Sequence, residues 1–236
     1  MTLIVFQVIS QTISSTLHWL GLCFGIRTWA GPNPRRWPWL VITTIVSAAW
    51  LLAIMLLAAN NFFANRALPP RIPMTMILTL AFGYLLLLST SFRGIIAAIP
   101  QHWLIGIQTF RILGGVFIVR YLQGEMPAFF AIPAGVGDVL TGIFAPLVAY
   151  WLYRGKSYAR GAAIAWNLFG MADPVDAVAI GVTTGGPGIV FPIVLIPIYA
   201  VPRAFLIHSY SLIGLLRKTS RTPQAREALH YGADVA

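Results

Sequence analysis

Long apolar runs recur along the whole of this chain, and they constrain its fold more than any other feature. Windows of about 20 apolar residues match the roughly 30 Å of hydrocarbon that an α-helix must cross. Seven such windows are expected, at about 4–24, 37–59, 73–92, 102–122, 127–151, 160–183 and 189–216. A spanning β-barrel shows short alternating segments instead. The expected fold is therefore all-α, a polytopic transmembrane helical bundle over 1–216 with a short polar tail at 217–236.

Composition agrees. Charged residues make up 9% of the chain, against roughly 25% in soluble domains, and the mean hydropathy is +0.79. The breakers GPNPRRWP (31–38), LPPRIP (68–73), GEMP (124–127) and TTGGPG (183–188) separate the runs. No connection is long enough for a separate soluble domain, so ATP-driven work would require a partner subunit. The N-terminus MTLIVFQVIS has neither a basic region nor a small-residue cleavage site and reads as a retained span.

The net charge of +10 does not indicate nucleic acid. The basic residues are spread over short connections, where they anchor spans beside anionic headgroups. Arg27, Arg35, Arg36, Arg93, Arg154, Lys156, Arg160, Arg217, Lys218, Arg221 and Arg226 fall on one side, and Arg66, Arg71 and Arg120 on the other. The positive-inside rule then predicts an outside N-terminus and a cytoplasmic C-terminus.

Against this apolar background the stretch MADPVDAVAIG (171–181) is anomalous. Asn167, Gly170, Asp173 and Asp176 recur every three residues, which keeps them near one helix face. Pro174 removes a backbone donor and frees the carbonyl of Gly170. Such a break is tolerated at membrane depth only where it faces protein or a water-filled cavity.

Partners for these carboxylates lie in other spans. Arg111 sits near the middle of QHWLIGIQTFRILGG, Asp138 lies between Gly135 and Gly142, and Arg203 follows Pro202. An isolated charge at the bilayer centre costs about 2.5–3.5 kcal/mol on insertion scales, and pairing offsets much of it. The sequence thus predicts an inward cluster of Arg111, Asp138, Asn167, Asp173 and Arg203, with Asp176 nearer the outer half. Gln7, Gln11, Ser14 or Ser15, and His18 form a polar stripe on the first span that lines the same interior. Gly114, Gly115, Gly135, Gly142, Gly161 and Gly170 are expected to let helices approach closely.

Intramembrane ionisable groups are functional by default. The leading expectation is binding or translocation of a small polar solute or proton through this cluster. Asp138 and Asp173 would take the proton or cation, and Arg111 and Arg203 would serve as counter-charges or anion contacts. A second expectation is an electron-transfer protein with haem ligated by His18 and His208 on facing helices. A third is a non-catalytic subunit or assembly factor whose charges only specify packing. No GxSxG, HExxH or phosphate-cradling GxxxxGK[ST] pattern occurs, so no enzyme class is assigned. Both lysines lie outside the core, which leaves no amine for a retinal Schiff base. The single cysteine, Cys23, permits no internal disulfide.

QTFRILGG (108–115), PAGVGDVLTGIFAP (133–146), AWNLFG (165–170) and VPRAFLIHSYSL (201–212) together resemble an uncharacterised family of small bacterial integral membrane proteins. The resemblance covers the last four spans. It implies a multi-pass protein of the bacterial inner membrane and carries over no activity, substrate or cofactor.

Overall fold

The computed structural model describes residues 2–30, 36–63, 71–184 and 191–220. Every regular element among the described residues is helical. In chain order these are α1 (Thr2–Ala30), α2 (Arg36–Ala59), α3 (Arg71–Leu86), α4 (Thr90–Ala98) and α5 (Gln101–Ile107). A 3-10 segment (Gln108–Gly115) leads into α6 (Val116–Leu122), followed by α7 (Ala128–Tyr153) and α8 (Ala159–Thr183). A π segment (Ile196–Ala200) then opens α9 (Val201–Ser220). Of the expected tail, residues 221–236 lie outside the described residues, as do Arg35 and Arg66.

The helix ends follow from local chemistry. Asn61, Gly124 and Gly155 each adopt a left-handed φ, of 57°, 73° and 62°, just past α2, α6 and α7. There Phe62, Glu125 and Lys156 donate back to the carbonyls of Leu57, Arg120 and Trp151, which satisfies acceptors that the helix end leaves open.

Among the described residues, four helical stretches are long and apolar enough to cross a membrane: Arg36–Ala59, Gln101–Leu122, Ala128–Tyr153 and Ile196–Arg217. α1 and α8 run for 29 and 25 residues, but their Gln, His, Asn and Asp side chains lower their apolarity. The expected third span, 73–92, is not one straight helix. α3 stops at Leu86 and α4 sets off at 93° to it. Ser89 explains the break, because its hydroxyl accepts the Phe92 amide at 3.3 Å and starts a new helix.

α7 occupies the middle of the fold, packed along the 3-10 segment, α5, α6 and α8. α9 lies against α8, α3 and α5, while α1 lies against α4 and α2. Apolar side chains lock these contacts, among them Phe117, Phe130 and Ile193 in one cluster and Ile105, Trp166 and Leu215 in another.

The usual polarity of a protein is inverted here. α2 exposes Val41, Ile42, Ile45, Leu52 and Leu56, whereas Gln7, Gln11, Gln108, Arg111, Asn167 and His208 are buried. An apolar exterior around a polar interior is what a lipid solvent favours.

Candidate functional site

Arg111 stands at the centre of the interior, presented by the 3-10 segment and only 4% exposed. Its guanidinium gathers four groups from three helices. Nε donates to Asp138 Oδ1 on α7 at 2.6 Å, and Nη2 donates to Asp173 Oδ2 on α8. Nη1 donates to the Gly170 carbonyl at 2.7 Å and lies 3.1 Å from His208 Nε2 on α9. Charge-assisted bonds of this kind are about twice as strong as neutral ones.

The Gly170 carbonyl is available because Pro174, four residues on, has no amide to donate to it. The proline that breaks the ladder of α8 thereby supplies a ligand for the arginine.

His208 extends the network. Its Nδ1 lies 3.0 Å from Asn167 Oδ1, and its ring stacks at a tilt on Trp166, centroids 4.7 Å apart. Asn167 Nδ2 donates to the Ala163 carbonyl and to Ser211 Oγ, and Ser211 donates to Gln101 Oε1 at 3.0 Å.

Close approach at this centre depends on missing side chains. A Cβ on Gly114 would meet the Asp138 side chain, one on Gly137 would meet Asp173, and one on Gly170 would meet the His208 ring. Each glycine therefore makes room for one member of the polar network. Gly142 plays the same part for the backbone, since a Cβ there would lie 2.5 Å from the Ile112 amide nitrogen. Gly161, expected to be another contact glycine, faces open space instead.

Beside the cluster lies a pocket lined by Gln7, Ser10 and Gln11 of α1 together with Arg111, Asp138 and Pro174. Gln7 is 1% exposed, and neither its Nε2 nor its Oε1 has a hydrogen-bond partner. Gln11 Oε1 is likewise unpartnered. A buried amide left this way bears its full desolvation cost.

The interior gathers some of the expected residues and not others. Arg111, Asp138 and Asp173 meet directly, and Asn167 joins through His208. Arg203 does not meet the carboxylates. Its Nη1 and Nη2 donate to the Ser15 and Ser14 hydroxyls at 3.1 Å, its Nε donates to the Tyr199 carbonyl, and it lies 3.7 Å over the Tyr199 ring. Its place in α9, five residues before His208, turns it toward α1. Asp176 is exposed, one turn beyond the ion pairs, because a three-residue step on an α-helix rotates steadily off the starting face.

The two histidines of the haem alternative have separate partners. Both His208 nitrogens are committed to Arg111 and Asn167. His18 bonds through Nδ1 to the Ser14 carbonyl and packs edge-on against Phe110.

The sequence alone does not single out His208 as a partner of Arg111, Gly137 as the gap for Asp173, or Ser211 with Gln101 as the end of the network. A signal for α9 existed, since Ala204, His208 and Ser211 fall at helical spacing on one face.

A family model described as a domain of unknown function, DUF8737, matches residues 69–216. The chain belongs to this family. Its DUF8737 region contains every element of the Arg111 network, from Gln101 to Ser211, and leaves out α1, which contributes Gln7, Ser10 and Gln11. No curated protein and no solved structure matches the chain.

Proposed function

We propose that this DUF8737 protein is a seven-span protein of the bacterial inner membrane that binds or translocates a small polar solute or proton at the Arg111–Asp138–Asp173 cluster. At 1.5 Å per residue, α1 and α8 have the length to span. With α2, the bent α3–α4 pair, Gln101–Leu122, α7 and α9 they make up the seven. The bias of Arg and Lys toward one side gives an outside N-terminus and a cytoplasmic C-terminus.

One observation carries the functional part. The charged cluster borders a largely apolar pocket into which α1 presents Gln7, Ser10 and Gln11, and Gln7 has no partner for either amide atom. A purely structural network satisfies its own donors and acceptors. This one is satisfied around Arg111 and His208 but open toward α1, which is the pattern of a binding site.

Proteoliposomes containing a pH-sensitive dye, driven by a potassium diffusion potential, provide the test. It is paired with a mass-spectrometric inventory of small molecules retained after gentle extraction. Asp173→Asn and Arg111→Gln are expected to abolish flux or retention while the protein stays folded and monodisperse. Unaltered flux and retention in both variants would overturn the reading. A stoichiometric copurifying partner in that case would favour a packing-only subunit.

A further inference from the structure

We propose that the pocket between α1 and the 3-10 segment is a site for a monovalent alkali cation of about sodium's size. The proposal rests on the interior being a binding site and names what it binds.

Gln7, Ser10 and Gln11 stand at i, i+3 and i+4 on one face of α1, and all three are buried against the pocket. The oxygens Gln7 Oε1 and Gln11 Oε1 have no partner. Across from them Asp138 gives Oδ1 to Arg111 Nε, which leaves its Oδ2 outside that bond. Amide and carboxylate oxygens are hard ligands and suit hard cations rather than soft metals.

Charge selects the valence. One guanidinium, Arg111, is paired with two carboxylates, Asp138 in the pocket wall and Asp173 outside it, so with both ionised the cluster beside the pocket has a single negative charge in excess. His208 accepts from Arg111 and is neutral. The nearest other cation on α9, Arg203, spends its donors on Ser14, Ser15 and Tyr199. Among the described residues no group of three or more His, Cys, Asp or Glu is placed to hold a metal ion, which argues against a divalent or transition metal.

Size selects the rest. The cavity holds about 30 Å³, and one water-sized occupant needs roughly 10–15 Å³. An ion with one water fills it, and the Gln7 Nε2 donor then meets that water.

The test is equilibrium binding of radioactive sodium ion to the detergent-purified full chain, with choline chloride holding the ionic strength constant. Saturable binding is expected in the unsubstituted protein. Gln7→Leu combined with Gln11→Leu should weaken it by about tenfold or more. Thr12→Val, on the exposed side of α1, should leave it unchanged. These neutral substitutions leave both Arg111 ion pairs in place, whereas Asp138→Asn would remove one of them. Three results would overturn the proposal: no saturable binding at acid, neutral or alkaline pH; binding unaffected by the paired Gln substitutions; or equal displacement by choline and by unlabelled sodium. If sodium does not bind but Asp173→Asn still abolishes proton flux, the cation assignment fails and the interior site stands. If neither result appears, both fail.

Discussion

Arg111 Nη1 lies 3.1 Å from His208 Nε2, and that contact fixes the histidine's protonation. A guanidinium has only donors, so Nε2 accepts and the ring proton sits on Nδ1, which donates to Asn167 Oδ1. Asn167 then donates to Ser211 and Ser211 to Gln101. The donors form one directed line from Arg111 to Gln101, and chains of this kind polarise one another.

The tautomer can be checked directly. Nitrogen NMR of histidine-labelled protein at neutral pH should show His208 as the neutral Nδ1–H form. Arg111→Leu should release Nε2 and mix the tautomers. An Nε2–H form in the unsubstituted protein would contradict the assigned network.

Breaking the centre should be expensive and non-additive. Arg111→Leu strands two partly buried carboxylates and is expected to cost about 3–5 kcal/mol in unfolding experiments. Arg111→Lys keeps the charge but loses the fork that reaches Asp138, Asp173 and Gly170 together, so it should fall between the two. In a double-mutant cycle with Asp173→Leu the coupling should reach about 0.5–3 kcal/mol. Simple additivity would mean the pair is not energetically linked.

Glycine substitutions separate close packing from open surface. Gly142→Ala forces a methyl against the Ile112 backbone and should lower stability by about 1–3 kcal/mol. Gly137→Ala should also disturb Asp173 and therefore reduce activity. Gly161→Ala meets nothing within 4 Å and should be neutral or stabilising by up to about 1 kcal/mol. Thermal unfolding of the three variants tests the ranking, and a damaging Gly161→Ala would contradict the packing of α8.

Orientation can be read with cysteines introduced into a Cys23→Ala background. Gln123 and Ser157 are both exposed, in the connections after α6 and α7. With an outside N-terminus, a membrane-impermeant maleimide should label Gln123→Cys on intact cells and reach Ser157→Cys only after permeabilisation. The opposite pattern would reverse the topology.

Several parts of the site were legible in the chain itself. Arg111, Asp138 and Asp173 stood out because charge in an apolar run demands a partner. Pro174 announced the free carbonyl of Gly170, since a missing amide at one position fixes which acceptor four residues earlier is released. The break at Ser89 could not be read from the chain, because its signal is a single side-chain hydrogen bond within an apolar run. Arg203 looked equivalent to Arg111 by composition and depth, and nothing local could show that its helix turns it toward Ser14 and Ser15.

The sequence by itself determined that this chain is helical and that certain charges must meet inside it. Both conclusions rest on local physics: apolar windows of spanning length, a backbone that must satisfy its own hydrogen bonds, and the cost of an unpaired charge. Only the tertiary structure decided the partners. Which faces meet depends on how each helix is rotated and how closely it approaches its neighbours. Gly114, Gly137 and Gly170 set that approach by leaving space that Asp138, Asp173 and His208 fill.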